Sequence, residues 1–79
     1  MRIDDFLSTV GIVKRRTVAK QMGASGLIEV NGRKVKPAYD VKIQDVICIK
    51  GNHSIKIEIL AIPVGSVPKH NRENFYKEL

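Results

Sequence analysis

Lys14, Arg15, Arg16 and Thr17 stand where a helical pattern opens, a position that disfavours cations. A helix N-terminus carries about half a positive charge, so each cation placed there costs roughly 0.3–1 kcal/mol unless an anion joins it. Lys20 follows one turn later, and Arg33, Lys34 and Lys36 come after an Asn-Gly pair. Segment 14–36 holds seven basic residues against one acid, Glu29, which equals the whole formal excess of +6. Clustered guanidinium and ammonium groups bind phosphates well, arginine through paired hydrogen bonds and lysine as a point charge. A polyanionic partner therefore explains the concentration better than solubility does.

Other chemistry finds little material. No Ser or Cys has a plausible base nearby in the pattern, no paired carboxylates suggest a cleft, and no Gly-rich loop could cradle a phosphate. No catalytic residue, cofactor or metal is expected. His53 and His70 lack a second ligand at metal spacing, and one cysteine, Cys48, builds neither a disulfide framework nor a Cys-rich zinc site. Cys48 sits among Val46, Ile47 and Ile49 and is expected to be a small buried hydrophobe. A chain of 79 residues would also struggle to enclose a substrate pocket. No apolar run approaches the roughly 18 residues of a membrane span, and "MRIDDFLSTV" has two acids where a signal peptide would be apolar. A cytoplasmic protein without a membrane partner is the expectation.

The elements that must hold the cations in place follow from periodicity. Ile3, Phe6, Leu7 and Val10 have helical spacing, which predicts a helix over 3–10, with Gly11 at the left-handed C′ position and Ile12 folding back as a closer. A second helix is predicted over 15–24. Val18, Ala19 and Met22 share its apolar face, Arg16, Thr17 and Lys20 lie opposite, and Gly26 ends it. Arg15 falls near the apolar side, so covering the first helix competes with ligand binding as its role. Alternation then sets in at Ile28 and Val30, and Asn31-Gly32 signals a type I′ hairpin. "DVICIK" and "SIKIEILAI" read as two further strands. The fold class is α+β: two short N-terminal helices, helix-turn-helix-like, on a small and mostly antiparallel sheet of about four to five strands. Residues 1–62 form the domain. Residues 63–79 form a C-terminal tail in which 72–79 can be helical, with Asn71 as N-cap. Tyr39 is expected to pack over the hairpin or stack on a base, and Phe75 and Tyr76 to anchor the tail to the core or to a partner.

"MRIDDFL", "KRRTVAKQMGASGLIEVNGRKVK" and "DVKIQDVI" together resemble the RNA-binding domain named after ribosomal small-subunit protein four. Arg2, Asp4, Phe6, Leu7, Arg16, Thr17, Ala19, Gly26, Val30, Asn31, Gly32 and Asp45 occupy matching positions at fixed spacing. The short length and the tail "NFYKEL" are most similar to the stand-alone, ribosome-associated heat-shock and quality-control group of that family. The resemblance implies a motif whose second helix and hairpin edge lie against structured RNA. It further implies large-subunit ribosomal RNA as partner, with peptidyl-tRNA in reach, and a role when translation stalls. The candidate RNA-binding residues are Arg2, Lys14, Arg15, Arg16, Thr17, Lys20, Arg33, Lys34 and Lys36, on a monomer. Asp4 is expected to hold an arginine such as Arg2 or Arg16. Asp5, Leu27 and Ile43-Gln44 depart from the family pattern. The first two remove cations and shift the footprint toward Arg15 and Arg33–Lys36; the third alters a turn. A DNA-binding helix-turn-helix regulator and a basic protein–protein adaptor are the competing readings.

Overall fold

The computed structural model describes residues 1–51, 53–65 and 67–79, with the side chains of Lys69 and His70 outside that description. Asn52, between the two predicted strands "DVICIK" and "SIKIEILAI", and the His70 side chain thus lie outside the described residues. The first helix, α1, spans Ile3–Thr9 and buries Ile3, Phe6 and Leu7 completely. Gly11 terminates it at φ +80°, its N–H donating to the Ser8 carbonyl at 3.2 Å. Val13 makes the more deeply buried contact after the turn, and Ile12 is half-buried beside it.

The second helix, α2, spans Arg16–Ala24 and begins one residue later than expected, because Arg15 is extended (φ −131°, ψ 141°) and acts as N-cap. Its buried residues are Ala19 and Gly23. Val18, assigned above to the apolar face, is 42 % exposed. The cause is a close approach at Gly23, where a Cβ would stand 2.9 Å from Pro37 Cγ. That contact turns Ala19 and Gly23 inward and leaves Val18, about 100° around the helix from Ala19, toward solvent.

Five strands form one antiparallel sheet. They are β1 (Ile28–Val30), β2 (Arg33–Lys34), β3 (Val46–Ile49), β4 (Ile55–Ile59) and β5 (Tyr76–Glu78), in the order β2-β1-β3-β4-β5. The β1–β2 turn has Asn31 at φ 53° and Gly32 at φ 85°, the pair of positive values a type I′ hairpin requires. Period-two alternation puts Ile28, Val30, Ile47, Ile49, Ile57 and Ile59 on the inner face, in one core with α1. The same alternation corrects Cys48: it is half-buried on the outer face, opposite Glu29 and Lys56.

The tail also differs from expectation. A 3-10 helix spans Lys69–Asn74 with Pro68, not Asn71, as its N-cap, and residues 76–78 are the edge strand β5 rather than helix. Two isolated helical turns are marginal in water, whereas the free edge of β4 offers backbone partners. Leu60 N–H donates to Phe75 O at 2.9 Å and Leu79 N–H to Lys56 O at 2.8 Å. Phe75 and Tyr76 are half-buried against the core.

One backbone position is strained. Gln44 sits at φ +76° in the turn before β3, where a Cβ is disfavoured by roughly 1–2 kcal/mol. Gln44→Gly should therefore raise stability by about 0.5–1 kcal/mol after the added flexibility of the unfolded chain is subtracted. A urea midpoint unchanged or lowered in the variant would contradict this.

Candidate nucleic-acid interface

At the entrance of α2, no side chain caps the helix and no acid occupies the first turn. Helical hydrogen bonding starts with the Val18 and Ala19 amides, both donating to Arg15 O at 3.1 Å. The amides of Arg16 and Thr17 precede that ladder and point out of the helix end. Lys14, Arg15, Arg16, Thr17 and Lys20 surround this end, and all are exposed. Arg15 is thus an exposed N-cap and does not cover α1. The arrangement joins free amides, a positive dipole end and flanking cations, the three elements of a phosphate-binding helix terminus.

Asp4 holds the neighbouring arginines. Its carboxylate is 1 % exposed and accepts from Arg2 Nε at 3.2 Å and Arg2 Nη2 at 3.1 Å. The Arg16 Nε lies 3.7 Å from the same carboxylate, and the Asp5 amide donates to it at 2.7 Å. A buried charge needs such partners to be tolerated. One carboxylate thus faces two guanidinium groups whose side chains remain 44 % and 52 % exposed, so the cluster keeps a positive excess at the surface.

Arg16, Lys20 and Gly23 are spaced i, i+4 and i+7 and share one face of α2. Arg16 meets Asp4 at one end of that stripe and Gly23 meets Pro37 at the other. The chain around Pro37 runs beside α1, with Ile3 N–H donating to Tyr39 O at 2.8 Å. This brings Lys36, next to Pro37, to the end of the stripe that contains Arg16 and Lys20. The ammonium end of Lys34 lies beside Gly26, just past the α2 C-cap Ser25, where the dipole favours a cation. Arg33, Lys34 and Lys36 are exposed. Glu29, the single acid in segment 14–36, is paired with Lys50 at 3.1 Å, and that hydrogen bond raises the Lys50 pKa. Among the described residues, no carboxylate lies within ion-pair distance of Lys14, Arg15, Lys20, Arg33, Lys34 or Lys36.

Two features escape a reading of the sequence. Asp45 ties the hairpin to the following loop. It accepts from Asn31 Nδ2 at 3.1 Å, Tyr39 Oη at 2.9 Å and the Lys42 amide at 3.0 Å, while Asn31 Oδ1 accepts from the Val46 amide. Tyr39 is thereby engaged in packing and hydrogen bonding to the scaffold. The second feature is Arg72, whose guanidinium lies against Gly11 at the start of the α1–α2 connection. The two residues are 61 positions apart, and no periodic signal reports that contact. Among the described residues no His, Cys, Asp or Glu group could hold a metal ion, and His53 is exposed. No described helix is long and apolar enough to cross a membrane.

Residues 1–47 match the model of the S4 domain. The chain is 36 % identical over 78 residues to the RQC P-site tRNA stabilizing factor of Streptococcus pneumoniae, covering 98 % of this chain and 88 % of that protein. The protein of the same name from Helicobacter pylori strain J99 is 44 % identical over 71 residues, covering 87 % of this chain and 84 % of the relative. Among solved structures, the trimeric heat shock protein 15 of Vibrio cholerae superposes with a TM-score of 0.92 at 26 % identity, covering 100 % of this chain and 81 % of its own. The chain belongs to the S4 domain family, alongside the RQC P-site tRNA stabilizing factors.

Proposed function

We propose that this chain is a non-catalytic, ribosome-associated RNA-binding factor acting in quality control of stalled translation. It docks the entrance of α2 and the Arg33–Lys36 ribbon on structured ribosomal RNA of the large subunit, beside peptidyl-tRNA, and works as a monomer in the cytoplasm. The observation that carries this reading is the uncapped, acid-free start of α2, with Lys14, Arg15, Arg16 and Lys20 exposed around it. A phosphate placed there is stabilised by the amides, by the dipole and by arginine forks at once. The relatives' name, RQC P-site tRNA stabilizing factor, supports the biological setting. Structured RNA is recognised largely through shape, phosphates and 2′-hydroxyls. An exposed basic strip with few base-reading side chains suits that mode. Arg2, Arg16 and Thr17 would contact backbone near the helix end, Lys14 and Arg15 the flanking phosphates, and Lys20, Arg33, Lys34 and Lys36 the continuing strand.

Gradient fractionation of a lysate tests this directly. The protein should travel with large ribosomal subunits and be released by ribonuclease. Migration at the top of the gradient, or association that survives complete RNA digestion, would favour the protein adaptor. Preference for duplex DNA over a ribosomal stem–loop in a competition would favour the helix-turn-helix regulator.

A further inference from the structure

Outside the basic strip, Met1, Asp5, Ser8, Thr9, Gly65, Val67 and Arg72 line an open cleft of about 440 Å³ between the polar side of α1 and the tail. Its two polar sides ask for opposite chemistry. Along α1 the hydroxyl protons are already used: Ser8 Oγ donates to the Asp5 carbonyl at 3.0 Å and Thr9 Oγ1 to Asp5 Oδ1 at 3.3 Å. That side therefore presents acceptors, namely the remaining carboxylate oxygen of Asp5 and the hydroxyl lone pairs. Facing it, Arg72 presents donors. Its Nε is buried, so the terminal Nη nitrogens are the donors that can reach a ligand; among the described residues Nε has no hydrogen-bond partner and no carboxylate lies within ion-pair distance of the guanidinium. Gly11, at φ +80° and without a Cβ, is what leaves room for that guanidinium.

A bare phosphate would satisfy Arg72 and be repelled by Asp5. A metal ion would find one carboxylate. The fitting ligand has an anionic acceptor at one end and adjacent N–H donors at the other. Guanine offers two neighbouring donors, N1–H and N2–H, on its Watson–Crick edge; adenine, cytosine and uracil each offer one donor group there beside acceptors. Resting on the RNA-binding reading above, we propose that this cleft takes one unpaired guanine nucleotide of the RNA partner. Its phosphate pairs with Arg72 and its base edge with Asp5. Sequence-specific recognition of RNA generally targets such extruded bases.

Amide NMR titration of the full chain with GMP, AMP, CMP, UMP, guanosine and inorganic phosphate tests the assignment. GMP should shift Ser8, Thr9 and Gly11 and bind roughly tenfold or more tightly than AMP, the discrimination expected of a paired donor contact. Asp5→Asn should erase the preference among bases, and Arg72→Gln should lower GMP affinity to that of guanosine. Should Arg72→Gln unfold, Arg72→Lys retains the charge without the fork and must still weaken GMP. A hairpin with one bulged guanine should outcompete its bulged-adenine counterpart by a similar factor. Equal binding of all four nucleotides, competition by inorganic phosphate as effective as GMP, or a preference confined to the free nucleotide would overturn the proposal. If Asp5→Asn and wild type bind structured RNA alike while base preference is missing from both, only the guanine cleft is lost and the basic strip stands.

Discussion

Raising salt from about 50 to about 200 mM will weaken binding of the protein to a ribosomal RNA stem–loop by several hundredfold, if about five phosphates are contacted. The number is set by counterion release. Each neutralised phosphate frees a condensed cation, so the logarithm of affinity falls linearly with the logarithm of salt. Eight exposed cations are available on or beside the strip, and Arg2 and Arg16 share one carboxylate, so five effective contacts is a conservative figure. Replacing Arg16 and Lys20 together by Ala should reduce the salt slope by about two and weaken binding at every salt concentration. Both side chains are exposed, and Arg2 still holds the buried Asp4 once Arg16 is removed, so the variant should unfold near the wild-type urea midpoint. Lys77→Ala is the matching control. It removes one charge from β5, at the sheet edge opposite β2, and should leave the slope unchanged. A flat salt dependence, or equal losses from Lys77→Ala and Lys20→Ala, would mean that net charge alone drives binding and that the strip has no special standing.

Local patterns made much of the fold legible. The hydrophobic spacing of Ile3, Phe6 and Leu7, the glycine at 11 and the Asn31-Gly32 pair each encode their structure within a few residues, and each is found where the pattern put it. Contacts that depend on distant segments were not legible. Val18 looks apolar on a helical wheel, but the orientation of α2 is fixed by Gly23 meeting Pro37, and no periodicity reports that. The tail shows the same limit. "NFYKEL" has enough helix formers to suggest a helix, yet β5 exists because β4 has a free edge, which only the assembled sheet reveals. At the candidate interface, charge concentration pointed to basic residues that the fold leaves exposed. Asp4 was expected to hold an arginine such as Arg2 or Arg16; that it is buried and holds both is visible only in the fold. Arg72 joined its cleft only through tertiary folding.

Asp45→Ala is expected to lower stability substantially, because this side chain holds the hairpin that presents Arg33, Lys34 and Lys36. Its carboxylate is 8 % exposed and accepts from Asn31, Tyr39 and the Lys42 amide. Hydrogen bonds to a charged group contribute about 1.5–3 kcal/mol each, and exposed Asn31 regains water when freed, so the net loss should be roughly 3 kcal/mol. A chain of this size has a total stability of about 4–12 kcal/mol, so the loss removes roughly a quarter to three quarters of it. A urea titration should show the midpoint falling with the slope preserved; a shift worth less than about 1 kcal/mol would show that the Asp45 network is not what ties β1–β2 to the rest. The same network predicts a pH response. Burial, then the hydrogen bond to Asp45, raises the Tyr39 pKa above its ordinary 10.0. The unfolded chain therefore loses this proton at lower pH than the folded one, so the contribution is complete below about pH 10 and disappears as pH rises through the folded-state value. Tyr39→Phe removes the titrating group, and the alkaline decline of its urea midpoint should be shallower than that of the wild type. Parallel alkaline profiles would mean that Tyr39 ionises alike in both states, and that its bond to Asp45 does not persist in solution.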